Sequence, residues 1–119
     1  MTANILDYKD KIEAALEHSG GTHVFEDVAF AVLEGRMQFW VNGESVAITE
    51  IIVYPRKKVL HVFLGSGKRK ELFEMIESAW QWGQSIGCTG MTLAGRKGWT
   101  KLMGKFGFKP TLYVMEKSS

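Results

Sequence analysis

The sequence of 119 residues has the length of one globular domain, and its 45% hydrophobic and 24% charged residues can form a packed core. A net charge of +2 is too weak a field to indicate nucleic-acid binding. The single cysteine, Cys88, excludes an internal disulfide framework and a cysteine-based zinc cluster. No apolar run approaches the ~18 residues of a membrane span, and the N-terminus lacks a secretion signal. We expect one cytoplasmic domain over residues 1–119.

Two helices are predicted at the N-terminal end. Apolar residues recur at helical spacing on one side of residues 4–18, and Ser19-Gly20-Gly21 ends this helix. Thr22 can cap a second helix that runs to Gly35.

Three antiparallel strands are predicted next, because the apolar period changes from helical to alternating. They are Met37–Val41, Ser45–Tyr54 and Val59–Leu64, joined by an Asn42-Gly43 hairpin turn and a Pro55–Lys58 turn.

The second half of the chain alternates helix and strand. The pattern predicts a helix over Lys68–Ile86, a strand over Met91–Ala94, a helix over Trp99–Phe106 and a last strand over Thr111–Met115. The order ααβββαβαβ requires at least one parallel strand pair after the antiparallel meander. The predicted fold class is therefore α/β, with a mixed sheet and helices on both faces.

A glycine-rich turn joins the third strand to the long helix. It reads Gly65-Ser66-Gly67-Lys68-Arg69. Free backbone N–H groups beside the positive end of a helix suit a phosphate or pyrophosphate group. The alternative is a tight strand-to-helix turn with solvated lysines.

The element order, this turn and a helix ending in Gly107-Phe108 resemble the GNAT N-acetyltransferase fold over nearly all of the chain. More narrowly, residues 35–40, 54–63 and 94–99 look like small GNAT-like proteins of tailed bacteriophages, some of them related to an internal virion core protein. This resemblance implies acetyl-CoA as cofactor and an amine as acceptor. It also implies a host-cell cytoplasmic or virion location.

The resemblance assigns the cofactor to the strand and loop before the long helix. Phe63 and Leu64 lead into the loop, Gly65 and Gly67 match the family's Gly-x-Gly, and Lys68 and Arg69 would add charge for the pyrophosphate.

Three other positions bear on the resemblance. Trp99 would flank the adenine or the pantetheine arm. The family's Gln or Arg three residues before the first glycine is replaced by Val62. Met103 stands where the family has the tyrosine that protonates the departing thiolate.

Glu50 and His61 are the candidate catalytic pair. Glu50 lies in an apolar strand, where it can take a proton from an amine directly or through water. If the Pro55–Lys58 turn pairs Tyr54 with Val59, His61 shares the face of Glu50 about one position away. The alternative is that Glu50 faces solvent and His61 is a half-buried strand residue, since one slip of register separates them.

Three functions stay open. The first is an acyl-CoA-dependent N-acyltransferase acting on an unidentified amine. The second is a non-catalytic GNAT-like protein in phage structure or assembly. The third is a domain that binds a host protein, or forms a homodimer, through an exposed Phe39 or Trp40. We expect no metal site, nucleic-acid partner or membrane partner.

Overall fold

The structure, a computed structural model, describes residues 4–95 and 98–119. In chain order its elements are a 3-10 turn Ile5–Tyr8, helices α1 Lys9–Leu16 and α2 Phe25–Leu33, strands β1 Met37–Asn42, β2 Ser45–Val53 and β3 Lys58–Ser66, helix α3 Arg69–Ser85, strand β4 Gly90–Leu93 and helix α4 Gly98–Gly104. Within the described ranges, no helix combines the length and apolar character needed to cross a bilayer.

The four strands form one mixed sheet in the order β1-β2-β3-β4. The first three are antiparallel, and β4 pairs parallel to β3 after the crossover through α3. The predicted meander and the predicted parallel pair are therefore confirmed.

The β2–β3 pairing contains one irregularity. Ile48 pairs with Leu64, but Thr49 pairs with Val62, so Phe63 is an extra residue on β3. Such a bulge bends the strand and increases its twist. Thr49, buried beside it, accepts a hydrogen bond from Trp40 Nε1 at 2.9 Å and donates one to Gln38 Oε1 at 2.8 Å, which leaves its hydroxyl satisfied.

Neighbouring residues of β2 belong to different core clusters. Val46 and Ile48 pack with residues of α1 and α2, whereas Ala47 packs with Leu72 and Met75 of α3. This division follows from the strand period of two, which points successive side chains to opposite sides. A third cluster joins β3 to α3 and the following turn through Leu60, Ala79 and Cys88. Cys88 is a buried free thiol.

Phe39 and Trp40 are not exposed, contrary to the third functional hypothesis. Phe39 packs against the α1–α2 cluster, while Trp40 packs against the α3 clusters and makes an edge contact with Trp82 at 5.9 Å between ring centroids. Each side of β1 is covered by a helix, so neither ring is free for a partner.

Two local predictions are wrong. Thr22 does not cap α2. Val24 takes the cap position, and its N–H donates to Asp27 Oδ2 at 2.9 Å. Residues 111–115 form no strand, and Leu112, Tyr113, Val114 and Met115 are 74–91% exposed. The predicted order therefore lacks its last strand. Strand propensity describes a fit to a pleated surface, and this segment has no strand beside it.

Gly67 is required by packing. Its φ is +136°, and an added Cβ would lie 2.6 Å from Ser45 Cα, a backbone atom that cannot move aside. We expect Gly67→Ala to lower the free energy of unfolding by about 2–4 kcal/mol, from backbone strain and overlap together.

The matched control is Gly65→Ala. Its added Cβ would lie 3.4 Å from Leu72 Cδ2 and 3.8 Å from the Val46 carbonyl oxygen, which are ordinary contacts. Urea denaturation should place this variant within about 1 kcal/mol of wild type. Equal stability of the two variants would show that Ser45 does not confine the loop.

Candidate functional site

One row of side chains crosses all four strands. Met37 pairs with Glu50, Glu50 with His61, and His61 with Thr92. His61 Nδ1 and Thr92 Oγ1 are 2.8 Å apart, within hydrogen-bond distance. The expected Tyr54–Val59 pairing is replaced by Val53–Lys58. Glu50 and His61 are therefore direct cross-strand neighbours, closer than the sequence predicted.

Burial and a neighbouring charge shift the pKa of His61 in opposite directions. Desolvation of the half-buried ring lowers the pKa of His61 from 6.5, and the Glu50 carboxylate opposes this by favouring the charged ring. Because the pKa is lowered, the ring is predominantly neutral at pH 7. A neutral imidazole can accept a proton, and the tautomer decides whether Nδ1 donates to or accepts from Thr92.

The extra residue of β3 brings His61 to the side of the sheet that α1 and α2 cover. His61 and Leu64 are three residues apart, so on a regular strand they would point to opposite sides. Here Leu64 packs in the cluster of α1 and α2, and His61 shares its row with Met37 of the same cluster. Phe63 packs there too, and its ring lies 4.7 Å from that of His23.

The two parallel strands stay paired over a short distance only. Pairing runs from Val59–Gly90 to Val62–Leu93, after which β3 continues to Ser66 while β4 has ended. Within the described residues, the β4 side of Phe63–Ser66 has no strand partner. Unpaired backbone N–H and C=O groups at such a position are available to a ligand. Leu64 can offer only its backbone, because its side chain is buried in the core.

Ser45 forms hydrogen bonds to both the loop after β3 and the first turn of α3. Its Oγ accepts a hydrogen bond from the Lys68 N–H at 2.8 Å and donates one to Glu71 Oε1 at 2.6 Å. The Glu71 carboxylate is thereby held on the side of the β1–β2 hairpin, against Gly43.

The first turn of α3 remains suited to an anion. In the described part of the chain, the N–H groups of Arg69 and Lys70 have no acceptor, as is usual at a helix start. The side chains of Lys68, Arg69 and Lys70 are exposed. These groups fit a pyrophosphate, although Glu71 places one negative charge nearby.

Trp99 belongs to the packing between α3 and α4. Its half-buried ring lies against the cluster of Ala47, Leu72 and Met75, so it does not stand free as a stacking surface. The predicted turn residues Arg96 and Lys97 lie outside the described residues. Met103 is buried, with 1% exposure. At the position where the resemblance places a tyrosine, this chain thus has a buried apolar side chain.

A cavity of about 400 Å³ lies between α2 and the start of β1. Met37 lines it and begins the four-strand row, and His23 lines it and contacts Phe63. Asp27, Phe30 and Arg36 also line it. This cavity has no signature in the sequence, because its walls come from segments whose local patterns indicate only a loop, a helix and a strand.

Solved structures show which fold this is. An acetyltransferase of Trypanosoma brucei superposes with a TM-score of 0.61 at 14% sequence identity, over 80% of this chain and 78% of that one. The protein TTHA1254 of Thermus thermophilus superposes with a TM-score of 0.61 at 13% identity, over 95% and 91% of the two chains. The chain has a GNAT-like fold. No family model and no curated protein matches it.

The described residues contain no cluster of three or more His, Cys, Asp or Glu side chains that could hold a metal ion.

The pKa of His61 tests the geometry of the row. Glu50→Gln removes the neighbouring negative charge that favours the charged ring, so we expect the pKa of His61 to fall further below 6.5. The exposed Glu77 on α3 gives the control Glu77→Gln, which should leave that pKa unchanged. NMR titration of the imidazole signals measures both.

The same titration bears on stability. Because the pKa of His61 is lower in the folded chain than in the unfolded one, the folded chain binds fewer protons. The contribution of His61 to the free energy of unfolding is complete above about pH 6.5, the ordinary histidine pKa. It is lost as the pH falls through the lower pKa that His61 has in the folded chain. A pKa unmoved by Glu50→Gln would mean that the carboxylate does not face the ring.

Proposed function

We propose that the protein is an acyl-CoA-dependent N-acyltransferase that moves an acetyl group from acetyl-CoA to an amine. The observation that carries this proposal is that β3 extends beyond the end of its parallel partner β4. Their pairing stops at Val62–Leu93, and the free edge of β3 leads directly into the start of α3. The extended pantetheine arm of the cofactor can lie along that edge, with the pyrophosphate at the start of α3.

Acetyl-CoA, when bound, supplies the acyl group as an activated thioester. Backbone N–H groups on the β4 side of Phe63–Ser66 would polarise its carbonyl, since fixed donors stabilise the charge that develops there. Lys68 and Arg69, with the N–H groups at the start of α3, would hold the pyrophosphate. Gly67 sets the loop against Ser45.

His61 is the proposed general base, assisted by Glu50, which exchanges the roles that the sequence analysis gave to the two residues. A neutral ring at pH 7 can take a proton from the attacking amine, and the adjacent carboxylate stabilises the imidazolium that results. Thr92 orients the ring from β4. Met103 cannot donate a proton, so protonation of the released thiolate falls to water.

The cavity between α2 and β1 is the proposed place of the acceptor. Its lining includes Met37, which pairs with Glu50 at the start of the row, and His23, whose ring contacts that of Phe63. Asp27 would attract a cationic amine, and Phe30 offers an exposed aromatic face.

A second candidate is a GNAT-like protein of a phage that acts in virion structure or assembly without catalysis. Three observations favour it: the buried Met103, the apolar Val62 in place of Gln or Arg, and the packing of Gly67 against Ser45. The packing of Gly67 against Ser45 is the strongest of the three, because it explains one glycine of the Gly-x-Gly motif by packing alone, with no bound cofactor.

Calorimetric titration with acetyl-CoA separates the two candidates, with free coenzyme A as the control ligand. If the start of α3 binds the pyrophosphate, Arg69→Glu should weaken binding about tenfold or more, by replacing attraction with repulsion. Arg56→Glu makes the same charge change in the exposed turn before β3, so it should bind like wild type. Binding that Arg69→Glu leaves intact would remove α3 from the site, and no binding at millimolar ligand would favour the second candidate.

The proposed role of His61 as general base can be tested once an acceptor amine has been found by screening. We expect His61→Asn to lower kcat about 10²- to 10⁴-fold while acetyl-CoA binding is retained, because loss of a general base affects the chemical step. Glu77→Gln serves as the matched surface control. A full rate with His61→Asn would assign proton removal to another group or to water.

A further inference from the structure

Strand β1 borders the sheet, and its outer edge is open. Among the described residues β1 pairs with β2 alone, and no hydrogen bond from a turn, loop or side chain reaches the backbone of Met37–Asn42. Edge strands are commonly guarded by charged residues or by proline, and this strand contains neither. Its outward N–H and C=O groups are therefore available to a further strand.

A cavity of about 320 Å³ lies between β1 and α3. The residues that line it are Trp40, Val41, Asn42, Glu74, Met75 and Ser78. The side chain of Val41 packs in the cluster of α1 and α2, on the other side of the sheet from α3. It is therefore the main chain of Val41 that lines the cavity. Because β2 occupies the inner edge of β1, the cavity adjoins the open outer edge.

Two residues give the cavity an apolar part. Met75 is buried and Trp40 is half-buried, and both pack in the cluster below α3. The indole N–H of Trp40 already donates to Thr49 Oγ1 at 2.9 Å, so the ring offers the cavity only its apolar surface. An unbranched aliphatic chain can pack against these two side chains.

The rest of the lining consists of hydrogen-bond acceptors. Glu74 is exposed, and within the described part of the chain its carboxylate forms no ion pair. Asn42 donates its amide N–H to the Glu71 carbonyl at 3.1 Å, so its Oδ1 remains as an acceptor. The hydroxyl of Ser78 can accept as well. This rim favours a cationic group that donates several hydrogen bonds.

A lysine or arginine side chain matches both parts of the cavity. Its aliphatic stem can pack on Met75 and Trp40 while its charged tip meets Glu74 and the Oδ1 of Asn42. The indole ring adds attraction for a cation near its face. The volume is at the lower end of the ~300–1,000 Å³ typical of ligand pockets, which suits one long side chain.

We propose that β1 binds an extended segment of a partner protein as an added strand, with a lysine or arginine of that segment in the cavity beside α3. Hydrogen bonds to the main chain of β1 supply affinity, and the cationic side chain supplies specificity. Every second side chain of the added strand points toward α3, so a single cation in register is sufficient. The rings of Phe39 and Trp40 stay packed, because the partner contacts the edge of the strand.

The charge of the cavity favours a different protein over a second copy. If β1 paired with β1 of another copy, the side chains on the α3 side of the added strand would be Gln38, Trp40 and Asn42, none of them cationic. The carboxylate of Glu74 would then face no positive charge. The cavity lies on the opposite side of the sheet from the Glu50–His61 pair, so the binding is independent of acyl transfer.

Fluorescence anisotropy of labelled peptides with the full chain tests the proposal. The probes are capped peptides of alternating threonine and valine whose central residue is lysine, norleucine or glutamate. The lysine peptide should bind about fivefold or more tighter than the norleucine peptide, and the glutamate peptide weakest. Glu74→Gln should remove the advantage of lysine. Glu77→Gln, an exposed change on α3 outside the lining, should keep it.

N-methylated lysine peptides test strand addition without altering the protein. A strand added to β1 donates the N–H of every second residue to that edge, and the other N–H groups point away from it. Methylation of the set that faces β1 should weaken binding about tenfold or more, from lost hydrogen bonds and steric overlap. Methylation of the other set should be tolerated.

A preference for lysine that depends on Glu74, together with sensitivity to one methylated set alone, supports the proposal. Failure of the lysine peptide to bind at millimolar concentration overturns it. Equal affinity for the three central residues overturns the role of the cation, and tolerance of both methylated sets overturns strand addition. A dimer whose Met37–Asn42 amides resist hydrogen exchange without any peptide would also overturn it, because a second copy would then occupy the edge.

Discussion

The extra residue in β3 is the constraint on which the candidate site depends. A regular strand would send His61 and Leu64 to opposite sides of the sheet. With Phe63 inserted, Leu64 still packs opposite Ile48, while His61 pairs with Glu50. The strand thus keeps its core contacts and places the Glu50–His61 pair on the side of the sheet that α1 and α2 cover. Pairing with β4 also stops at Val62, next to the extra residue, and the following edge of β3 has no strand partner among the residues that the structure describes.

The loop before α3 combines a structural role with a proposed binding role. Ser45 holds the Lys68 N–H and directs the Glu71 carboxylate toward the β1–β2 hairpin. The first turn of α3 therefore keeps backbone N–H groups and exposed cationic side chains that can contact an anion. A glycine at position 67 is needed for the first role whether or not the second is used. The Gly-x-Gly motif is for this reason weaker support for cofactor binding than the extension of β3 beyond the end of β4.

Local patterns in the sequence predicted most of the fold. Alternating residues and the Asn42-Gly43 turn predicted the three antiparallel strands, and the one-sided stripe of α3 predicted the crossover. The Glu50–His61 pair was predicted to share a face, but its direct pairing depends on where the turn after β2 closes, with the Tyr54 N–H donating to the Lys57 carbonyl at 2.7 Å. The cavity lined by His23 and Met37 could not be predicted, because it needs the packing of α2 on β1. The strand at Thr111–Met115 was predicted from propensity alone, which does not provide a pairing partner.

The central claim is that acyl-CoA lies along the free edge of β3 and ends at the start of α3. Amide chemical shifts of the isotope-labelled protein, followed during titration with acetyl-CoA, test it most directly. We expect saturable shifts at Phe63–Ser66 and at Lys68–Lys70, with smaller changes at Leu93 where β4 ends. Shifts confined to other surfaces, or none at millimolar ligand, would contradict it and leave the GNAT-like fold with a role that does not involve the cofactor.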